Sequence, residues 1–260
     1  RYSSGVTYTG DTIVLGRLEV NSNFLPSGMR TGDVYVHGYL KLNQAGYTGT
    51  INGLFGGGTV FYGNSGTSSL SIGDNNATST FTGNISGNSN LSVNKVGAGT
   101  LTLDGATTHT KGTTVQGGTL VLNGSALSPF TVYSGATLRG KGMIDKSGTA
   151  ITIQSGGTLA PGDADGIGTM TVLQGSIAPS AGSNLEITIG KGGCSFLDVA
   201  GDITGNATVS VTVKGEGPGK WLVAQASSIT ADFSSATPDV KLTLEADGTQ
   251  LWAERLNPVS

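Results

Sequence analysis

The triplet Gly-Thr-Leu recurs through the middle of this chain. It stands at Gly99-Thr100-Leu101 and Gly118-Thr119-Leu120, in a looser copy at Ala136-Thr137-Leu138, and again at Gly157-Thr158-Leu159. The leucines (101, 120, 138, 159) step by roughly 19, 18 and 21 residues, inside the period range of stacked solenoid repeats. A repeat of that length is one turn of chain that cannot bury its apolar face alone. It must stack on a neighbour.

One copy shows what a turn holds. In Thr100-Leu101-Thr102-Leu103-Asp104-Gly105 successive strand side chains point to opposite faces, so Leu101 and Leu103 share one side and Thr100 and Thr102 the other. Gly105 then supplies the corner. The same alternation returns at Leu70-Ser71-Ile72, Leu91-Ser92-Val93, Ile151-Thr152-Ile153, Leu185–Ile189, Val209–Val213 and Val240–Leu244. These are short strands with Ser or Thr outward and Gly at the breaks, and no stretch has a helical period. A β-sandwich would alternate in the same way. The near-constant turn length favours a solenoid, in which Leu101, Leu103, Val115, Leu120, Leu122, Val132, Leu138, Ile151, Ile153 and Leu159 face inward in stacked rows.

Composition agrees. Of 260 residues 44 are Gly, and only 12% are charged, about half the usual share. Stacked like charges on an outer face would repel, so ladders of Thr, Ser and Asn are expected there. The net charge is -3 and the Lys and Arg are scattered, which argues against nucleic-acid binding. No apolar run reaches membrane-span length. No signal peptide is present at Arg1, as expected either of a mature, processed form or of a sequence that begins partway along a longer one.

The segment Gly97–Gly124, GAGTLTLDGATTHTKGTTVQGGTLVLNG, closely resembles the passenger-associated transport repeat of autotransporter passenger domains. Thr107-Thr108-His109-Thr110-Lys111-Gly112 stands where that repeat usually has Asn-Thr-Tyr-Thr-Gly-Gly. Gly157-Thr158-Leu159-Ala160-Pro161-Gly162 with Gly168-Thr169-Met170-Thr171-Val172, and Leu197-Asp198-Val199-Ala200-Gly201 with Ala207–Val211, resemble further blocks of the same family. The resemblance covers Lys95 to Leu256. It implies an all-β fold, a right-handed parallel β-helix exported from a bacterial cell, but no particular activity. Autotransporters normally continue into a membrane β-barrel of about 12 strands. The residues up to Ser260 are too few for one, so the sequence is expected to lack it.

The ends fit the repeat less well. Residues 1–58 hold Tyr2, Tyr8, Phe24, Tyr35, Tyr39, Tyr47 and Phe55 and read as an atypical cap or docking segment. Strand-like pieces fall at Thr12–Leu15, Leu18–Val20, Asp33–Val36 and Tyr39–Leu42, and Leu54–Gly58 reads as a flexible corner. Residues 59–213 form the regular solenoid, and 214–260 supply C-terminal capping strands. Terminal repeats are commonly atypical because they cover an open core. Ile13, Leu15, Leu18 and Val20 are the candidate assembly residues, placed to fill pockets when an edge strand is added to a neighbour.

Candidates for chemistry are sparse. Asp163 and Asp165 could supply oxygens to a cation, although a polar turn explains them as well. Asp198, Asp202 and Glu186 fall on separate turns. His37 and His109 are far apart in sequence and from any marked serine, and one cysteine, Cys194, cannot make an intrachain disulfide. The sequons at Asn76, Asn84, Asn90, Asn123 and Asn206 are those expected in an Asn/Ser/Thr-rich chain. The reading is therefore no enzyme, no cofactor and no metal. The expected function is an extracellular structural β-solenoid at the bacterial cell surface, self-associating end to end into a fibre, sheath or matrix. The alternative is an adhesin that binds glycans or host surfaces, with a carbohydrate-active enzyme third.

Overall fold

The computed structural model describes residues 9–21, 25–162, 166–190, 193–205, 208–214 and 219–255, with backbone alone for 208–214. Among these residues there is no helix, and strands of two to seven residues follow one another throughout. The chain divides into two compact units, Arg1–Phe130 and Thr131–Ser260.

In the first unit each turn contributes strands to as many as three faces. The first face comprises Thr12–Val14, Val34–Val36 and Leu54–Phe55, then Ser79–Phe81, Thr100–Leu103 and Thr119–Leu122. The second takes Arg17–Val20, Tyr39–Leu42, Thr59–Tyr62 and Asn84–Gly87, and the third Thr48–Ile51, Ser68–Ile72, Leu91–Lys95 and Gly112–Val115. Pairing within each face is parallel. Leu54–Phe55, expected as a flexible corner, is a strand in register with Val34 and Tyr35.

Parallel register stacks like upon like. Leu101 lies beside Leu120 and Leu103 beside Leu122, and Leu18, Leu40, Val60 and Ile85 form one inward row. All ten residues expected in the core are buried, none more than 3% exposed. Each such leucine contributes about 1.5–3 kcal/mol relative to exposure.

The corner between the first and second faces explains much of the glycine. Gly16, Gly38, Gly58, Gly83, Gly105 and Gly124 stack there. A Cβ on any of the last five would collide with the carbonyl oxygen of the glycine one turn below. No other residue lets the backbones close at ladder distance.

The second unit repeats the scheme. Its first face holds Thr137–Gly140, Thr158–Pro161, Asn184–Gly190, Thr208–Lys214 and Asp232–Ser235, again opened by the Thr-Leu motif. Met143–Ile144, Thr169–Val172, Phe196–Val199 and Gly219–Gln225 make the second, also parallel. On the third face Ile151, Ile177, Ile203 and Ile229 lie in one row.

At the C-terminal end the rule changes. Gln250–Arg255 pairs antiparallel with both Gly219–Gln225 and Val240–Leu244. The hairpin is set by Asp247-Gly248: Gly248 has φ +71, and the Asp247 carboxylate accepts the Thr249 N–H and hydroxyl at 3.0 and 2.9 Å. Such Asp-Gly turns belong to hairpins. Its tip lies against the last third-face strand, where Ala226 and Ile229 donate to the Thr249 and Gly248 carbonyls.

Candidate functional site

Two buried polar residues of the first unit, Thr113 and Lys95, stand at strand positions where the alternation predicts aliphatic side chains. Thr113 is inward on Gly112–Val115, in line with Val93 and Leu70. Its hydroxyl meets His109 Nε2 at 3.0 Å and the Ser128 hydroxyl at 2.7 Å. His109, Thr113 and Ser128 are each 3% exposed or less. Nothing hydrogen-bonds His109 Nδ1. Burial pushes the imidazole down to about 4, opposed by the Gly112 backbone, so it is neutral at pH 7. The sequence had set His109 apart from any serine; the fold brings Ser128 within one hydroxyl of it. A hydrolytic triad needs the base directly on the nucleophile and an acid to orient the base. Here Thr113 intervenes, no carboxylate bonds the imidazole among the described contacts, and Ser128 is fully buried. The arrangement is a hydrogen-bonded polar plug in the core.

Lys95 is the second such residue. It occupies an inward row with Ile51, Ile72 and Val115 and is 1% exposed. Its ammonium donates to the carbonyls of Val96, Gly97 and Gly117 at 2.6, 2.9 and 3.1 Å. These carbonyls belong to corners where Gly97 and Gly118 take positive φ, so the lysine ties two successive corners together. Burial lowers its pKa to about 8. Tyr47 is also buried, its ring lying over Gly49. From sequence Tyr47 stood only among the N-terminal aromatics, and Lys95 had no assigned role. The departure from alternation at Lys95 was the available signal.

The candidate assembly residues separate into two pairs. Leu18 begins the inward row of Leu40, Val60 and Ile85, and Val20 is 0% exposed beside Leu42, so both serve the chain's own core. Ile13 and Leu15 are 63% and 75% exposed. Ile13 lies on the outer row with Tyr35 and Phe55.

The N-terminal aromatics stack on one another. Tyr35 and Phe55 have ring centroids 4.8 Å apart at 13°. Tyr39 and Phe61 lie 5.7 Å apart at 31°, and the Arg17 guanidinium sits 4.9 Å above the Tyr39 ring. These rings are thus partly engaged within the chain.

Glu186 pairs with Arg139 at 3.4 Å, and Asp198 and Asp202 lie on separate strands. Asp163 and Asp165 lie outside the described residues. Among the described residues no three His, Cys, Asp or Glu converge as metal ligands. Cys194, in a two-residue strand antiparallel to Asn184–Gly190, directs its sulfur to the Leu222 carbonyl at 3.3 Å, and burial pushes its thiol pKa up.

Comparison with known proteins finds similarity over part of the chain. Residues 93–122 match the passenger-associated transport repeat. Over 111 residues, 43% of this chain, the sequence is 36% identical to an extracellular serine protease of Serratia marcescens. The match covers 10% of that protein's length. The repeat, the parallel stack and this similarity agree: the chain is an autotransporter-passenger-like β-solenoid carrying a passenger-associated transport repeat.

Proposed function

We propose that the chain is an extracellular, non-catalytic structural element: a β-solenoid that joins end to end in a bacterial surface fibre, sheath or matrix. The observation that carries this reading is where the polar side chains go. They bond along the stack rather than converging on a cleft. Asn43 donates to Asn21 at 3.0 Å, Thr114 to Asn94 at 2.9 Å and Asn123 to Asp104 at 2.9 Å, each from one turn to the next. Such ladders stiffen a stack. The extracellular address is supported by the passenger repeat and by the similarity to an extracellular serine protease of Serratia marcescens. In this reading residues 1–58 and 214–260 are the end segments of a solenoid spanning 59–213. The antiparallel strands at 219–255 suit that role. Glycan binding by ring stacking is less supported, because Tyr35 and Phe55, and Tyr39 and Phe61, already stack in pairs, with Arg17 over Tyr39.

The test is light scattering across a concentration series with negative-stain microscopy, beside incubation with a fluorophosphonate probe and with casein. Reversible end-to-end rods and no labelling or cleavage are expected. A monomer at all concentrations overturns the structural assembly, and a labelled serine overturns the non-catalytic assignment.

A further inference from the structure

The C-terminal hairpin leaves a strand edge open. Val240–Leu244 pairs antiparallel with Gln250–Arg255 and, among the described residues, is the last strand of its sheet. The hydrogen bonds fix which groups face the open edge. The Glu245 N–H donates to the Gln250 carbonyl, and the Ala226 N–H to the Thr249 carbonyl. Main-chain groups alternate sides along an antiparallel strand. Lys241 and Thr243 therefore turn theirs toward Gln250–Arg255, and Leu242 and Leu244 turn theirs outward. Among the described residues nothing bonds them there.

The side chains of this strand differ on its two faces. Leu242 and Leu244 line a cleft of ≈ 190 Å³ with Phe233 and Leu251, and Leu244 is 41% exposed. On the other face Lys220, Glu254 and Lys241 stand in one cross-strand row, which leaves an excess of positive charge at the exposed Lys241. Just past the end of the strand, on that same face, Glu245 makes no ion pair with a described residue. An edge lysine ordinarily discourages pairing. A two-fold axis through Thr243 removes that obstacle, because it sets Lys241 against the partner's Glu245. It also sets Leu242 against the partner's Leu244, so their outward N–H and C=O groups bond each other and the leucines lie side by side. An axis through Leu242 would bond equally well but would set Glu245 against the partner's Asp239, like charge on like. Charge thus selects the axis at Thr243.

We infer that Val240–Leu244 is the docking edge for a second copy of this chain, which adds the same strand antiparallel about a two-fold axis at Thr243. This rests on the proposed self-association and names one of its surfaces. The contact is isologous, so it closes on a dimer, and any longer assembly adds a contact elsewhere on the chain. Main-chain hydrogen bonds supply affinity, and the Lys241–Glu245 pairs supply register.

Charge reversal and cross-linking test it in the full chain. Lys241→Glu and Glu245→Lys change residues at the surface, so melting temperatures should stay close to the parent's. Each variant alone should dimerise about tenfold more weakly than the parent, because both cross-pairs become repulsive. An equimolar mixture of the two should recover parent-like dimers, since every pair is then of opposite charge. In a Cys194→Ser background, Thr243→Cys should form an interchain disulfide on mild oxidation. The two sulfurs then belong to a non-hydrogen-bonded pair with Cα atoms about 4.5 Å apart, within disulfide range. Lys241→Cys should not cross-link. Parent-like dimerisation of either charge variant, a mixture that stays monomeric, or equal cross-linking at 241 and 243 overturns the interface while leaving self-association standing. A parent chain that never associates overturns both.

Discussion

The third face is built differently in the two units. In residues 131–260 its inward row is four isoleucines, Ile151, Ile177, Ile203 and Ile229, all 4% exposed or less. In residues 1–130 the corresponding rows read Gly49, Leu70, Val93, Thr113 and Ile51, Ile72, Lys95, Val115. One fold tolerates both because a solenoid supplies backbone partners at every corner. An inward polar group costs little when carbonyls or hydroxyls sit one turn away, and several kcal/mol when they do not. The second unit is held by aliphatic burial alone on this face. The first adds titratable groups to its core, Lys95 in the row and His109 behind Thr113, and with them a sensitivity to pH that the isoleucine row does not carry.

The largest effects should be common to both units. Leu120→Asp in the first and Ile177→Asp in the second each bury an unpaired carboxylate, and each should cost more than about 4 kcal/mol. Thr102→Asp, on the outer side of the same strand as Leu101, should shift stability by less than about 0.5 kcal/mol. Urea melts read all three. Equal losses for Leu120→Asp and Thr102→Asp would break the inward register.

The units part on acidification. His109 has a folded pKa of about 4 against about 6.5 unfolded. The unfolded state therefore binds more protons between those values. The stability due to the neutral imidazole is complete above pH 6.5 and is lost as pH falls toward 4, up to about 3 kcal/mol. Hydrogen exchange resolved by peptide should show residues 85–130 loosening between pH 6.5 and 4.5, and those around Ile177 and Ile203 unchanged. His109→Gln should abolish that difference. Equal loosening of both units would show that the comparison misplaces the pH-sensitive group.

Lys95 sharpens the same contrast. Lys95→Met fits an aliphatic row but leaves three carbonyls without their donor, a loss of about 1–3 kcal/mol. The folded lysine titrates near 8 and the unfolded one near 10.4. Protons are then held more tightly by the unfolded chain, so parent stability should rise between pH 8 and 10. The methionine variant should lack that rise. A variant more stable than its parent at pH 7 would mean that the row prefers an aliphatic residue and that the corner carbonyls find other partners.

Much of this was legible in the sequence. The Gly-Thr-Leu spacing gave the turn, and alternation placed Leu101, Leu120 and Leu159 inside, because a parallel stack repeats every contact at a fixed offset. Three things were not. Thr113 and Ser128 look like outer-face residues, and only the corner between them shows that both turn inward. Lys95 reads as a surface lysine because three carbonyls on two different turns supply its partners. Leu18 and Ile13 look alike in sequence, yet the corner at Gly16 sends Leu18 into the core and leaves Ile13 outside.

The smallest expected effect lies on the outer side of the second unit. Arg139 is in register with Ala160, and Glu186 follows Leu185, which pairs with Leu159, so the two charges flank the alanine from opposite rungs. They meet at 3.4 Å across it, and Ala160 is left 1% exposed. The small side chain is what permits the reach: a longer one would stand between the charges. The side chains of Arg139 and Glu186 remain 21% and 17% exposed, so solvent and salt screen the pair. Its coupling should not exceed about 1 kcal/mol. A double-mutant cycle with Arg139→Met and Glu186→Gln should return that coupling at low salt and less at 1 M salt. Ala160→Leu should abolish it while adding apolar cover, leaving net stability nearly unchanged. A coupling that survives both the salt and the leucine would mean that the bridge does not depend on the gap at Ala160.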